Sequence, residues 1–299
     1  MDKSRILVTG ATGFLGSLLC KRLASIEHYK LYCTHRKRSN LSVLSQICDK
    51  IELVRLDDPR RLADAVEGIN NIDAIIHCAT NYGRGSQDPN EQIEANLVLP
   101  LQLIQLGSQL GIKVFINTDT YLDKGVDYYS LSKKQFAEWL RFFAERINCA
   151  NVVIEHFFGP SDDQTKFVSW LIRCFLDKVP EIELTEGRQR RDFVYIDDVV
   201  EAFVHVLAHS LHKKLPLTRY EVGSGYSVPI RHFVELVQSL CDGVCTKLNF
   251  GSVPYRKNEP MEASIDLSAL YALGWKPNVT LVDGLRRTIE HEKKARLVQ

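Results

Sequence analysis

The stretch Gly10-Ala11-Thr12-Gly13-Phe14-Leu15-Gly16 constrains this 299-residue chain more than any other. It follows an apolar run with β character, Arg5-Ile-Leu-Val-Thr9, and opens a segment, Phe14 to Ile26, with apolar residues at helical spacing. In that context the three glycines have separate tasks. Gly10 permits a tight turn, Gly13 lets backbone N–H groups approach a pyrophosphate, and Gly16 lets the helix lie close on the strand. A helix that starts here offers partial positive charge to phosphates. The turn predicts a dinucleotide cradle made of Gly10, Thr12, Gly13, Phe14, Leu15 and Gly16.

The next 150 residues support that context. Further strands are expected at Leu31–Thr34, Ile51–Val54, Ala74–His77, Val114–Asn117 and Val152–Glu155. Helical patterns fall between them, over Pro59–Val66, Ile93–Leu110 and Tyr129–Arg146. Strand and helix in alternation predict an α/β fold, a Rossmann-type doubly wound parallel sheet with its ligand crevice at the carboxyl ends of the strands. After Gly159-Pro160 the rhythm changes, and Val194-Tyr-Ile196 with the helix behind it is expected to return to the main sheet. The expected division is a dinucleotide-binding domain over 1–158, with 192–225 returning to it, and a smaller discontinuous C-terminal substrate lobe from 159–191 and 226–299.

A net charge of +1 gives no sign of nucleic-acid binding or of a polybasic membrane patch. No apolar run reaches the roughly 18 residues of a membrane span, and the N-terminus has no signal-peptide pattern, so a cytoplasmic protein is expected. Cys20, Cys33, Cys78, Cys149 and Cys174 lie in or beside apolar segments and read as small core residues. Cys241 and Cys245 form one close pair, but no second pair or histidine cluster completes a zinc site, and no metal is expected.

An acid at the end of the second strand would hold the 2′-hydroxyl of NAD. Here the segment is Thr34-His35-Arg36-Lys37-Arg38-Ser39. Arginine offers a bidentate fork to a 2′-phosphate, so NADPH is the expected cofactor, NADH less so, with Arg36 as first contact and Arg38 as second.

Tyr129 and Lys133 lie four residues apart at the start of a helix, hence on one face. A cation that favours the phenolate would make Tyr129 a proton relay nearer neutrality. Thr118, at the end of the fifth strand, could hydrogen-bond the substrate oxygen that shares a proton with Tyr129.

Together these residues resemble the extended short-chain dehydrogenase/reductase family, the sugar-nucleotide epimerases and dehydratases, and the likeness spans nearly the whole chain. Its landmarks are the Thr9–Gly16 turn, His77-Cys78-Ala79, Asn96, the triad Thr118, Tyr129 and Lys133, and Gly159-Pro160. Later ones are Arg191-Asp192-Phe193, Gly223-Ser224-Gly225, Arg256 with Glu259-Pro260, and Leu273-Gly-Trp-Lys-Pro277. The resemblance implies cofactor contacts at Asp57, Ala79 and Asn96 besides Tyr129 and Lys133, and substrate contacts at Thr80, Thr118, Asp119 and Thr120. It also implies that Arg191 and Arg256 grip the diphosphate of a CDP-, dTDP- or GDP-linked sugar, and that the protein is a homodimer.

Two departures bear on the reaction. Many relatives place an adenine-contacting Asp after the third strand, where this chain has Arg55, with Asp57 just beyond. Dehydratases of the family carry Thr-Asp-Glu at the triad threonine, whereas Thr118-Asp119-Thr120 lacks the glutamate that serves as their base. The segments Ala79–Gly83, Asn117–Thr120 and Glu155–Pro160 look most like reductases of nucleotide-linked 4-keto-6-deoxyhexoses. That implies an NADPH-dependent 4-ketoreductase; a 4-epimerase with tightly held NAD is the alternative, and a non-catalytic NADP-sensing protein a remote one.

Overall fold

The structure is a computed structural model that describes residues 3–297, apart from 59–60, 67, 70, 85–87, 216 and 242–244. The chain begins with β1 (Ser4–Thr9), α1 (Phe14–Ala24), β2 (Tyr29–His35), β3 (Ile51–Arg55), α2 (Leu62–Ala65) and β4 (Ala74–His77). Then come α3 (Pro89–Ile93), α4 (Leu99–Leu110), β5 (Val114–Thr120), α5 (Tyr128–Phe143) and β6 (Asn148–Ile154). The expected helix start at Pro59 lies outside the described residues.

Next follow β7 (His156–Phe158), α6 (Phe167–Leu176), β8 (Glu181–Leu184), β9 (Arg190–Tyr195), α7 (Ile196–His212) and β10 (Thr218–Val222). The last elements are β11 (Ser227–Pro229), α8 (Ile230–Leu240), β12 (Lys247–Phe250), α9 (Ser268–Tyr271) and α10 (Leu281–Leu297). Contacts divide the chain into two units, the first made of Met1–Ile154, Val200–Glu221 and Ser268–Trp275, the second of Glu155–Val199, Val222–Leu267 and Lys276–Gln299.

The first unit holds a seven-stranded sheet in the order β3-β2-β1-β4-β5-β6-β10. The pairs from β3 across to β6 are all parallel. Strands of this kind are covered on both faces, and their sequences accordingly read as apolar runs: Ile6, Leu7 and Val8 of β1 and Ala74, Ile75 and Ile76 of β4 are all buried. A core of Leu7, Ile75, Leu103, Ile104, Phe115, Phe136 and Leu140 forms between the sheet and its helices. The strand order reverses between β1 and β4, so the crevice that takes ligands in such sheets opens beyond Thr9 and His77.

The expected helix over Ile93–Leu110 is interrupted. Residues Glu94–Val98 form a π-turn between α3 and α4. Pro100 lacks the N–H that would bond the Asn96 carbonyl in a regular helix, and a local widening accommodates the loss.

In the second unit, Arg190–Tyr195 does not return to the main sheet as expected. It pairs in parallel with His156–Phe158 and antiparallel with Ser227–Pro229. The seventh place in the main sheet belongs to Thr218–Val222, whose alternating burial is that of an edge strand and which no apolar run announces. The stretch 192–199 therefore packs with the second unit, and 268–275 with the first, unlike the sequence reading. Phe193 stacks on Phe233 with centroids 3.8 Å apart inside this unit. No helix among the described residues is long and apolar enough to cross a membrane.

Candidate active site

The glycine turn has the geometry its sequence requires. Gly10 has φ +70, and a Cβ there would lie 2.5 Å from the Ala79 nitrogen. A Cβ on Gly16 would meet the Gly10 carbonyl oxygen at 2.1 Å, so both positions admit glycine alone. Gly13 is the N-cap of α1 and supplies no side-chain cap, which leaves the helix N-terminus suited to an anion. Thr12 and Phe14 are half-buried beside it, and Leu15 is buried. Gly10→Ala is expected to destabilise the protein by about 2–3 kcal/mol, from positive φ and backbone overlap together, and to weaken dinucleotide binding. Thermal melting and cofactor titration check this; an unchanged melting temperature contradicts it.

Arg36, Lys37 and Arg38 are exposed at the end of β2, and none makes an ion pair with the described residues. Their turn is held from beneath. Asp57 accepts the Lys37 N–H at 2.6 Å and pairs with Arg55 at 2.6 Å, and Ser39 Oγ accepts the Arg36 N–H at 2.9 Å. The Lys37 amide, then Arg55, holds the Asp57 carboxyl below its ordinary range. In this structure Asp57 braces the basic turn.

Asn96 lies in the π-turn, wholly buried, with every amide valence used. Its Oδ1 accepts from Thr80 Oγ1 at 3.0 Å and from Asn81 N–H at 2.9 Å. Its Nδ2 donates to the Asn81 carbonyl at 2.9 Å and to Ser132 Oγ at 3.1 Å. Asn96 thus ties the segment after Ala79 to the helix that carries Tyr129 and Lys133, and the Thr80 hydroxyl is spent on that tie.

The capping box of Asp127 and Ser130 fixes the start of α5, with the Ser130 N–H 2.7 Å from Asp127 Oδ1. Helical spacing then places Tyr129 and Lys133 on one face, as expected. The structure corrects the expected electrostatics. Burial, then Tyr82 and Asp119, hold the Tyr129 phenol well above its usual range, against the opposing effect of a hydrogen bond with Thr120. Lys133 is 1% exposed, and burial brings its ammonium down to about 8. It makes no hydrogen bond or ion pair with the described residues, so this buried cation lacks an acceptor that ribose hydroxyls can supply.

Thr118 Oγ1 donates to Cys78 Sγ at 3.6 Å, and burial pushes that thiol up to about 11. Asp119 is buried and committed: it accepts from Asn151 Nδ2 at 2.9 Å and the Thr120 N–H at 2.7 Å, and pairs with Lys134 at 3.1 Å. Its side chain is wholly buried and shapes the strand end. His77 faces Thr9 Oγ1 through Nδ1 at 2.8 Å, and its buried Nε2 has no hydrogen-bond partner among the described residues. Burial and the Lys133 charge keep that imidazole neutral, well below its usual range.

Tyr82 and Cys78 escaped the sequence reading as site residues. The Tyr82 ring lies 5.0 Å from that of Tyr129. Both belong to the segment after β4, where no periodicity marks which side chain turns inward.

In the second unit, two distant landmarks meet: Asp192 accepts the N–H groups of Ser224 at 2.7 Å and Gly225 at 2.8 Å. Arg191 is 4% exposed and paired with Glu259, with a further bond to the Arg190 carbonyl at 2.7 Å. Arg256 is exposed, and its carbonyl accepts the Glu259 N–H at 3.1 Å, which closes the turn that brings the carboxylate to Arg191. As the structure stands, Arg256 is open and Arg191 engaged. Of the remaining sequence expectations, Cys20, Cys33 and Cys149 are buried and Cys78 and Cys174 half-buried, while 242–244, between Cys241 and Cys245, are outside the described residues.

Comparison with known proteins gives the family and the fold. The profile of the NAD dependent epimerase/dehydratase family matches residues 6–223. CDP-abequose synthase of Salmonella typhimurium is 31% identical over 303 residues, covering 96% of this chain and 98% of the relative. Its counterpart from Salmonella muenchen is 30% identical over 296 residues, covering 95% and 97%. A UDP-glucuronic acid 4-epimerase of Bacillus cereus, solved with UDP-glucuronic acid and NAD, shares the fold with a TM-score of 0.85 at 22% identity, over 97% of this chain and 99% of its own. With the family profile over more than half its length and relatives matched end to end, the chain belongs to the NAD-dependent epimerase/dehydratase family, the extended short-chain dehydrogenase/reductases.

Proposed function

We propose that the protein reduces the C4 keto group of a nucleotide-diphospho-4-keto-6-deoxyhexose, or its 3,6-dideoxy counterpart, with NADPH, in the synthesis of a deoxysugar precursor of polysaccharide such as an O-antigen. The observation that carries this reading is the full-length likeness to two CDP-abequose synthases. The Tyr129 phenol, which burial pushes above its usual range, fits the proton donor that a reduction needs at that place.

The cradle at Gly10–Gly16 and the buried Lys133 ammonium fit a dinucleotide. When bound, NADPH supplies hydride to the C4 carbon. Tyr129 gives its proton to the C4 oxygen, so the ketone becomes a secondary alcohol. Thr118 orients that oxygen, and with Tyr129 stabilises negative charge that grows only as hydride arrives. Lys133 holds the ribose and keeps positive charge near the phenol as the proton leaves. Arg36 and Arg38 take the 2′-phosphate, on a turn braced by Asp57; Ala79, backed by Asn96 and Thr80, lines the cofactor side. Thr120, bonded to Tyr129, faces the sugar, and Arg256, with Arg191 if Glu259 yields it, takes the diphosphate. A homodimer is part of this reading: α5 leaves Tyr128, Leu131, Trp139 and Phe142 uncovered.

The test follows NADPH absorbance with CDP-, dTDP- and GDP-linked 4-keto-6-deoxy sugars, with NMR of the product for the C4 configuration. Consumption of one NADPH per sugar is expected. Removing both Arg36 and Arg38 side chains should raise the KM for NADPH about tenfold to a hundredfold and leave that for NADH unchanged. A protein purified with bound NAD that interconverts sugars without added reductant would instead be a 4-epimerase.

A further inference from the structure

Tyr82 stands where two independent supports converge. Its backbone belongs to the segment that Asn96 ties to α5 through Asn81 and Ser132. The chain turns directly after it, at Gly83 with φ +70, where Asn81 Oδ1 accepts the Gly83 N–H at 2.8 Å. A Cβ on Gly83 would lie 2.5 Å from Gln92 Nε2, so the turn is packed as well as bent. The Tyr82 ring tilts 40° to that of Tyr129 at 5.0 Å, and the Arg84 guanidinium lies over the Tyr82 ring at 5.2 Å.

Such contacts are more than core packing. Tyr129 is partly exposed, two residues past the N-cap of α5, and its ring needs a neighbour to hold one rotamer. Its ring rests on Tyr82, and Thr120 acts on its hydroxyl from the other side, so the segment after β4 and strand β5 each meet one end. Offset and tilted aromatic pairs have a preferred geometry, which a leucine in the same space would not reproduce.

We propose that Tyr82 is a positioning residue for the proton transfer: its ring, tied to α5 through Asn96 and overlaid by Arg84, holds the Tyr129 phenol in its donating pose. The inference rests on the ketoreductase reading for its kinetic consequence only. The groups that face Tyr129 are Tyr82 after β4, with Arg84 beyond it, Asp119 and Thr120 on β5, and Asp127 on α5; Lys133 lies one turn further along α5, and Lys134 pairs with Asp119. Among them Tyr82 adds a second ionisable phenol, which opposes loss of the Tyr129 proton.

The experiment uses the full-length protein with Tyr82→Phe and Tyr82→Leu, read by steady-state kinetics and by NMR of ring-labelled tyrosine, the Tyr129 signal being assigned with Tyr129→Phe. Tyr82→Leu should lower kcat for the keto-sugar on the order of tenfold to a hundredfold, with the KM for NADPH unchanged. In the NMR spectrum of that variant, the Tyr129 signal should lose its ring-current shift. Tyr82→Phe keeps the ring and should restore both, while the alkaline limb of its pH–kcat profile moves to lower pH because one opposing hydroxyl is gone. Should Tyr82→Leu keep the wild-type kcat and Tyr129 signal, or should Tyr82→Phe fail to rescue them, the positioning role is overturned. If the wild type reduces no keto-sugar yet the Tyr129 signal moves in Tyr82→Leu and returns in Tyr82→Phe, the ketoreductase reading fails and the positioning of Tyr129 stands.

Discussion

Tyr129→Phe is expected to lower keto-sugar reduction by on the order of a hundredfold to ten-thousandfold, the range for loss of a positioned acid, and to leave NADPH affinity nearly unchanged. The substitution removes one oxygen and keeps the ring that packs on Tyr82. Its fold should therefore be intact, and the loss should fall on kcat, because the proton is needed only as negative charge develops on the C4 oxygen. Single-turnover kinetics with a 4-keto sugar measure it. Full activity in the variant would remove Tyr129 from the mechanism.

Lys133→Met carries two opposite effects. The ammonium lies at about 8 in the folded chain, against 10.5 for an ordinary lysine. That difference corresponds to about 3 kcal/mol of burial penalty, present in full below pH 8. Between about pH 8 and 10.5 the unfolded chain binds more protons than the folded one, so the wild type gains stability as pH rises through this window. The apolar variant should thus be more stable than the wild type at pH 7, by up to about 3 kcal/mol, and the gap should close towards pH 10.5. Turnover should fall at least about a hundredfold, and cofactor affinity with it. Urea unfolding at the two pH values, beside cofactor titration, checks both halves; an equal stability at pH 7 would contradict the penalty. On the proposed reading a bound dinucleotide would compensate this buried cation, a familiar trade of stability for function.

Much of this was legible before the structure. The glycine turn is readable because its constraint is steric and local: Gly10 and Gly16 fail with any side chain, whatever the rest of the fold does. Tyr129 and Lys133 are readable because helical period alone sets their common face. Other features depend on partners far along the chain. Arg191 looks free until Glu259 closes on it, 68 residues later. Asp119 looks like a substrate group until Asn151 and Lys134 claim it. The sign of the Tyr129 shift could not come from spacing, because Lys133 was expected to set it and burial does. The edge strand Thr218–Val222 went unread because half its residues face outward and break the apolar pattern that announces its neighbours.

That edge strand has a bearing on how the chain is made. Unit one begins with β1 and the glycine turn at residues 10–16, yet its sheet closes only when β10 pairs with β6. During synthesis, β6 emerges with an unpaired row of backbone groups along Asn148–Ile154, and more than sixty residues must follow before its partner exists. An open apolar edge held for that interval invites pairing with another nascent chain, so the yield of folded protein should depend on how fast the ribosome crosses residues 155–222 and on chaperones that cover β6 meanwhile.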